Sequence, residues 1–220
     1  MSLIEFEKKI SQEKGFKYIG GIDEVGRGCL AGPLVTAIVV YDMDNLKEIF
    51  LDKEIYKKIS TIKDSKKLSE KKREELSLFI KDIAHFFHIQ ENSNNEIDQK
   101  GIALATNDSF LQNFNQAKIN SKIDFVFTDA FKIKGLDLNL QESLIKGDNT
   151  SLAIASASII AKVYRDNLMK ELAKKVEFQI YQFENHKGYG TATHLELINK
   201  YGPSSLHRKS FEPIKSMILK

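Results

Sequence analysis

Two apolar segments separated by a glycine-rich loop, within residues 17–41, constrain the fold more than any other feature. The first segment is KYIGGID, the loop is EVGRGCLAG, and the second segment, PLVTAIVVY, is a dense run of β-branched residues. β-Branched residues favour strands, and a glycine-rich connection favours a hairpin. The sequence therefore predicts two neighbouring antiparallel strands, the first of which ends near the acid pair Asp23 and Glu24.

Apolar spacing and capping signals predict the other elements. The predicted helices cover residues 3–13, 69–84 with Ser69 as the N-cap, 93–117 with a break near Gly101, the Ala-rich segment 151–176, and 192–202. The further predicted strands are HFFHIQ, residues 85–90, and DFVFTDA, residues 124–130. No repeat or low-complexity linker interrupts the chain, so we expect one α/β domain with a helical C-terminal portion.

Composition narrows the class of protein. The 220 residues are 42% hydrophobic, which is enough for one sizeable core. A net charge of +3 permits a nucleic-acid partner without requiring one. The single Cys29 excludes an intramolecular disulfide and fits a reducing compartment.

No apolar run reaches membrane-spanning length and the N-terminus is unlike a signal peptide, so we expect a soluble cytoplasmic protein. Nothing suggests a dimer face, so we expect a monomer.

Four acids next to predicted strand ends and a helix start form a candidate site. Asp23 and Glu24 lie at the end of the first strand. Asp129 ends the strand FVFTDA, and Asp148 precedes the Ala-rich helix. Strand ends at one sheet edge form a shared crevice, and carboxylates gathered there repel one another unless a cation lies among them. Mg²⁺ prefers such oxygen ligands, and a two-ion site serves phosphodiester hydrolysis.

Simpler interpretations of the same acids stay open at this point. Most of the 30 Asp and Glu residues must be ordinary surface acids. Asp148 lies close enough to the predicted helix at 151 to act as its cap. The pair Asp23 and Glu24 also fits a turn at the end of a strand.

The loop that follows the acid pair places Arg27 between Gly26 and Gly28. Glycine lets the backbone approach a ligand closely, and converging N–H groups bind anions. A tight hairpin explains the same glycines. The spacing matches neither the dinucleotide-binding pattern nor the P-loop.

Basic and aromatic segments elsewhere suit a phosphate-containing ligand. Ser65 and Lys66 lie in a lysine-rich stretch, and Tyr189 stands between two glycines. Lys and Ser often contact phosphates, and an exposed tyrosine stacks on bases or sugars. A solvated loop and a packed turn aromatic are the alternatives. His186 and His194 have no Cys partners and lack metal-site spacing, so we expect no zinc site.

Taken together, the segments resemble the ribonuclease HII family. The resemblance rests on five stretches in the family's order, which span residues 20 to about 213: GIDEVGRGCLAGPLV, DSKKLSEKKREEL, TDA, GDNTSLAIASASIIAKVYRD and HKGYGTATHLELINKYGPSSLHRKSF. It implies an RNase H-like fold, a mixed five-stranded sheet flanked by helices, with a core over about 1–175 and a helical portion over about 176–220. These would form a single catalytic domain.

The resemblance also implies an activity and its residues. The family cuts the RNA strand of RNA–DNA hybrids, and cuts 5′ of a single ribonucleotide in duplex DNA, leaving 3′-hydroxyl and 5′-phosphate ends. Its catalytic, metal-binding carboxylates fall on Asp23, Glu24, Asp129 and Asp148, with Mg²⁺ or Mn²⁺ as the cofactor. Its substrate-binding residues fall on Gly26, Arg27, Gly28, Ser65, Lys66 and Tyr189. Tyr189 corresponds to the family's junction-sensing tyrosine.

The chain departs from the family's pattern in two places. Cys29 stands where the family often has proline, and AFKIKG after Asp129 replaces the commoner glycine-asparagine pattern. Only about twenty residues precede the acid pair, which favours type HII over type HIII, and PIKSMILK carries no sliding-clamp motif. The rival hypotheses are an RNase H-fold nuclease that acts on DNA junctions, and a non-catalytic hybrid-binding protein.

Overall fold

A mixed five-stranded sheet forms the centre of the molecule, in a computed structural model that describes residues 3–49, 51–62 and 65–219. The strands are β1 Tyr18–Val25, β2 Leu34–Asp42, β3 Phe86–Asn92, β4 Phe125–Asp129 and β5 Gln141–Leu144. Their order across the sheet is β3-β2-β1-β4-β5. The β1–β2 and β2–β3 pairs are antiparallel, whereas the β1–β4 and β4–β5 pairs are parallel.

The predicted hairpin is confirmed, and its first strand is longer than expected. β1 pairs with β2 in a register that joins Ile22 to Ile38, and the ladder continues through both acids to Val25. Ile22 also pairs with Thr128 of the parallel strand β4. The next residues of the two strands are Asp23 and Asp129, so the parallel pairing brings both acids to one edge of the sheet.

Helices cover both faces of the sheet. They are α1 Leu3–Lys14, α2 Met43–Ile49, α3 Lys53–Ile59, α4 Glu70–Ile83, α5 Asn94–Lys100, α6 Ile102–Asn120, α7 Leu152–Ala173, α8 Phe183–His186, α9 Ala192–Tyr201 and α10 Ile214–Ile218. Short 3₁₀ helices cover Ser65–Lys67, Leu138–Leu140, Gly147–Asn149 and Val176–Tyr181. No helix of the described ranges is both long enough and apolar enough to cross a membrane.

The capping signals of the sequence agree with the structure. The Ser69 side chain accepts a hydrogen bond from the N–H of Lys72 at the start of α4. Gly101, with a φ of 80°, separates α5 from α6. The Ala-rich helix ends at Ala173, three residues earlier than predicted, and a 3₁₀ helix follows it.

Strand β5 and helices α2 and α3 carry too little local signal to be located from the sequence. β5 has the sequence QESL, which contains no β-branched residue, and its place is set by pairing with β4. α2 and α3 have seven residues each, within a lysine-rich stretch that shows little amphipathic pattern.

The long helix α7 lies directly against the central strand. Small side chains, including Ala153, Ala155 and Ala157, are wholly buried on it. At Gly21 of β1 a methyl group would lie 2.2 Å from the backbone nitrogen of Ile154 and 2.3 Å from the carbonyl carbon of Ala153. The two backbones therefore touch, and only glycine at position 21 permits this contact.

The C-terminal portion packs on the loop between β1 and β2. The N–H groups of Leu30 and Ala31 donate to the carbonyl of Gly188, at 2.8 and 3.3 Å. The N–H of Arg208 donates in turn to the carbonyl of Leu30, at 2.8 Å. Backbone hydrogen bonds thus join this portion to the hairpin loop.

The contact at Gly21 predicts the effect of a single methyl group. Gly21→Ala should lower the free energy of unfolding by about 1–3 kcal/mol or more, because two backbone atoms of α7 would have to move. Urea denaturation followed by circular dichroism measures the change. Gly28→Ala is the matched control, since a methyl group there meets no atom within 4 Å. Equal destabilisation by the two variants would contradict this account.

Candidate active site

One pocket of about 490 Å³ contains every site residue predicted from the sequence. Its lining consists of Asp23, Glu24, Val25, Gly26, Arg27, Gly28, Ser65, Lys66, Asp129, Asp148, Ser158, Lys162 and Tyr189. These residues come from the end of β1, the loop that follows it, the end of β4 and the start and middle of α7. A segment near residue 65 and the turn at residue 189 complete the pocket.

Asp23 is buried near the end of β1, with 8% of its surface exposed. Its Oδ1 accepts the N–H of Glu24 at 2.8 Å, and its carboxylate also accepts the Ser158 hydroxyl of α7. Burial raises the pKa of Asp23 to about 7, and the charges of Asp129 and Asp148 add to this effect. The group is therefore a carboxylate whose negative charge is poorly solvated.

Glu24 is the second acid of the strand end, and it is half-buried. Burial and the charge of Asp23 together raise its pKa to about 8, against the opposing effect of Arg27 and Lys66. The Arg27 Nη1 lies 3.9 Å from Glu24 Oε1. The other oxygen, Oε2, is buried and has no hydrogen-bond partner among the described residues. Such an orphaned oxygen is costly unless a ligand occupies its free side.

Asp129 and Asp148 are joined through the turn that precedes α7. The N–H of Gly147 donates to Asp129 Oδ1 at 2.8 Å, so the last residue of β4 holds the turn that carries Asp148. Asp148 is buried, and its Oδ1 accepts from the side-chain amide of Asn149 at 2.8 Å. The N-cap of α7 is Ser151, so Asp148 does not serve as the helix cap. Asp23 and Glu24 lie inside a strand, which excludes the turn interpretation.

The acid set fits a hard divalent cation held partly by other ligands. Among the described residues, no three His, Cys, Asp or Glu side chains close around one point. Mg²⁺ usually takes one or two carboxylates and completes its octahedron with waters and substrate phosphates. The raised pKa values of Asp23 and Glu24 and the orphaned oxygen of Glu24 all indicate negative charge that a cation would balance.

The glycines of the loop differ in their surroundings. A methyl group at Gly26, where φ is 91°, would lie 2.2 Å from the Nε of Arg165. A methyl group at Gly28 would meet nothing within 4 Å. Gly28 is therefore the position where the backbone stands open to the pocket. The Arg27 guanidinium lies 4.9 Å from the ring centroid of Phe131, within the segment that departs from the family's pattern.

Ser65 is part of a buried hydroxyl chain. Its Oγ lies 2.9 Å from the Oγ of Ser158, and only 3% of Ser65 is exposed. Because Ser158 donates to Asp23, Ser65 donates to Ser158. The chain ties the segment at residue 65 to the acid pair. Lys66 beside it is exposed and lines the pocket.

Tyr189 presents part of its ring to the pocket. It is 38% exposed, and the Lys162 ammonium and the Arg165 guanidinium lie 5.6 and 5.8 Å from its ring centroid. Burial raises its pKa to about 12, and its side chain hydrogen-bonds with the buried Cys29. The unusual cysteine thus touches the predicted junction-sensing tyrosine.

The remaining buried histidines form a packing cluster. His186 and His194 stack with their ring centroids 4.1 Å apart, and the Nε2 atoms of His194 and His207 are 3.0 Å apart. Burial lowers the pKa of His194 and of His207 to about 4, so both are neutral at pH 7.

Two residues that line the pocket, Ser158 and Lys162, were not predicted from the sequence. They lie four residues apart on α7, and Arg165 continues the same helical face. Lys162 Nζ is held by Asp166 Oδ1 at 2.8 Å. This spacing could have indicated a polar stripe aimed at the acids. Arg208 lies far away in the sequence, in the basic segment HRKSF, whose positive charge suits a phosphate backbone and does not indicate a contact with the loop.

Glu7 of α1 accepts hydrogen bonds from the start of α7. Its Oε1 accepts the Ser151 hydroxyl at 2.6 Å and the N–H of Ala153 at 3.0 Å. Its Oε2 is buried without a partner among the described residues. Burial raises the pKa of Glu7 to about 7. A buried acid thus caps the helix whose first turn follows Asp148.

Comparisons with known proteins point to one family. A family model described as Ribonuclease HII matches residues 20–214. A protein of Clostridium beijerinckii named Ribonuclease HII is 48% identical over 210 residues, which is 96% of this chain and 72% of that protein.

Solved structures share the fold. The ribonuclease H2 of Pyrococcus horikoshii OT3 superposes with a TM-score of 0.69 at 24% identity, covering 91% of this chain and 96% of that one. Bst-RNase HIII in complex with Mn²⁺ superposes with a TM-score of 0.68 at 19% identity, covering 92% of this chain and 69% of that one.

The buried Glu7 predicts a pH-dependent contribution to stability. A carboxyl whose pKa rises from 4.5 to about 7 on folding binds more protons in the folded state, so its contribution to stability falls as pH rises from about 4.5 to 7. Glu7→Gln keeps the acceptor oxygen and removes this titration. Relative to the parent protein, the variant should gain roughly 1–3 kcal/mol between pH 5 and pH 8. Urea denaturation at both pH values measures this, and an equal difference at both would refute it.

Proposed function

Because the chain belongs to the ribonuclease HII family and is a ribonuclease H that cuts RNA–DNA hybrids, we propose that it also cuts 5′ of single ribonucleotides in duplex DNA. The products would carry a 3′-hydroxyl and a 5′-phosphate. The observation that carries the proposal is that four carboxylates, of which Asp23 and Asp148 are buried, line one pocket together with the open backbone at Gly28.

Recognition of a lone ribonucleotide has to use its 2′-hydroxyl, because this group is what distinguishes RNA from DNA at one sugar. A backbone N–H or carbonyl can reach the hydroxyl where no side chain intervenes. Gly28 offers such a backbone in the same pocket as Asp23 and Glu24. We therefore assign sugar recognition to the backbone of Gly26, Arg27 and Gly28.

The family depends on divalent metal ions, and we propose that Asp23, Glu24, Asp129 and Asp148 hold them in this chain. Two bound Mg²⁺ or Mn²⁺ ions would supply activation of water and stabilisation of the leaving 3′-oxygen. Ser158 orients Asp23, and the N–H of Gly147 orients Asp129. These contacts hold the carboxylates in place before a ligand arrives.

The cationic and aromatic residues of the pocket would bind the nucleic acid. Lys66 and Lys162 both line the pocket, and Lys162 is held by Asp166. Their ammonium groups suit phosphates on either side of the scissile bond. The exposed part of the Tyr189 ring suits stacking on the sugar or base at the junction.

A substrate comparison tests the function. A DNA duplex that contains one ribonucleotide should be cut only 5′ of that residue, and only with Mg²⁺ or Mn²⁺, whereas EDTA should stop the reaction. The read-out is gel mapping of end-labelled strands together with identification of the 3′-hydroxyl end. Cutting of the matching all-DNA duplex would favour a DNA nuclease of the same fold. Tight binding without cutting would favour a hybrid-binding protein.

Within the same assay, Asp23→Asn should abolish cutting and leave hybrid binding largely intact, since it removes a proposed metal ligand and no phosphate contact. Asp82→Asn is the matched control, because Asp82 is an exposed carboxylate on α4 outside the pocket. A normal cutting rate for Asp23→Asn with Mg²⁺ would overturn the assignment of the site.

A further inference from the structure

Two arginines are wholly buried behind the loop that follows β1. Arg165 of α7 and Arg208 of the C-terminal portion are both 0% exposed. Neither forms an ion pair with an acid among the described residues within 4.0 Å. Burial lowers the pKa of Arg208 to about 10, which leaves the guanidinium charged at neutral pH. Buried charges are costly unless hydrogen bonds satisfy them, so their partners matter.

The partners are backbone carbonyl oxygens, and nearly all belong to residues 26–33, which we call the specificity loop. Arg208 donates to Gly26 at 2.7 Å, to Arg27 at 2.9 Å, and to Gly32 at 3.0 and 3.1 Å. Arg165 donates to Ala31 at 3.1 Å, to Pro33 at 2.9 Å, and to Lys187 outside the loop at 2.8 Å. We call Arg165 and Arg208 the arginine clamp.

Because the peptide unit is planar, the arginine clamp also fixes the direction of the N–H groups that follow the bound carbonyls. In a trans peptide the carbonyl and the following N–H point in opposite directions. The carbonyls of Gly26 and Arg27 both point at the guanidinium of Arg208. The N–H groups of Arg27 and Gly28 therefore point away from it. Neither N–H forms a hydrogen bond with any of the described residues.

Two glycines of the specificity loop lie so close to Arg165 and its neighbour Met169 that a side chain would collide with them. A methyl group at Gly26 would lie 2.2 Å from the Nε of Arg165. At Gly32 it would lie 2.5 Å from the sulfur of Met169 and 3.4 Å from the Nη2 of Arg165. These two glycines make room for the clamp behind the loop. At Gly28 a methyl group would meet no atom within 4 Å, so the clamp does not approach that position.

We propose that the arginine clamp positions the N–H groups of Arg27 and Gly28 for recognition of the ribonucleotide sugar. Arg165 and Arg208 are positioning residues, since both act through the loop backbone. The inference rests on the proposed function and deepens it. Selectivity for the 2′-hydroxyl then depends on the C-terminal portion, which supplies Arg208 from 182 residues downstream of Gly26.

The test measures ribonucleotide preference in binding, with cleavage removed. In the Asp23→Asn parent, affinities are measured by fluorescence anisotropy for two DNA duplexes that differ by one 2′-hydroxyl. Arg208→Lys keeps the charge but loses the planar fork that reaches several carbonyls at once. It should reduce the preference for the ribonucleotide duplex by roughly two- to tenfold, the effect of one hydrogen bond. Affinity for the all-DNA duplex should stay the same, because phosphate contacts lie elsewhere.

Tyr181→Phe is the matched control. The variant removes a 2.8 Å hydrogen bond from the buried Tyr181 side chain to the carbonyl of Gly202. Both residues belong to the C-terminal portion, and the hydrogen bond does not involve the specificity loop. The variant should leave the ribonucleotide preference unchanged. Arg165→Lys loosens the loop from the α7 side and should act like Arg208→Lys, so it replaces that variant if the latter does not fold.

Several outcomes would contradict the clamp. One is an unchanged ribonucleotide preference in a folded arginine variant, and another is an equal loss of affinity for both duplexes. The third is failure of both arginine variants to fold, which would show that the two arginines have a purely structural role. A parent protein without any preference for the ribonucleotide duplex would overturn the proposed function as well, and this result differs from the other three.

Discussion

The direct contact between the first turn of α7 and strand β1 at Gly21 determines the geometry of the site. Because the two backbones touch, the residues before and along α7 lie next to the end of β1. The turn with Asp148 reaches Asp129 through the N–H of Gly147, and Ser158 reaches Asp23 two residues beyond Gly21. A bulkier residue at position 21 would separate both pairs at once. One packing constraint therefore assembles carboxylates that are far apart in the sequence.

The assembled acids are held at a cost in electrostatic free energy. Burial and like charges raise the pKa of Asp23 to about 7 and that of Glu24 to about 8. Hydrogen bonds from Ser158 and from backbone N–H groups offset part of this cost, and Arg27 and Lys66 offset another part. The Oε2 of Glu24 stays without a partner among the described residues. Such concentrated, incompletely compensated charge is typical of functional sites, where binding of a cation restores the balance.

The glycine loop has two sides with different requirements. Gly26 and Gly32 are needed on the inner side, where Arg165, Met169 and their neighbours press against the backbone. Gly28 has open space on the outer side, toward the pocket. From the sequence, the glycines suggested either a tight hairpin or close approach to a ligand. The hairpin is formed, which confirms the first explanation, and the open space at Gly28 leaves room for a ligand at that position.

The sequence by itself determined what short-range patterns encode: the hairpin, the Ala-rich helix, the cap at Ser69, the break near Gly101, and the candidate acids with their glycine loop. β-Branching, helical periodicity and capping are local properties, so one stretch of chain suffices to predict them. Only the tertiary structure decided the position of β5, the contacts of Ser158 with Asp23, and the approach of Arg208 to the loop. These depend on pairing and packing between distant segments, and no local pattern specifies which distant segments meet.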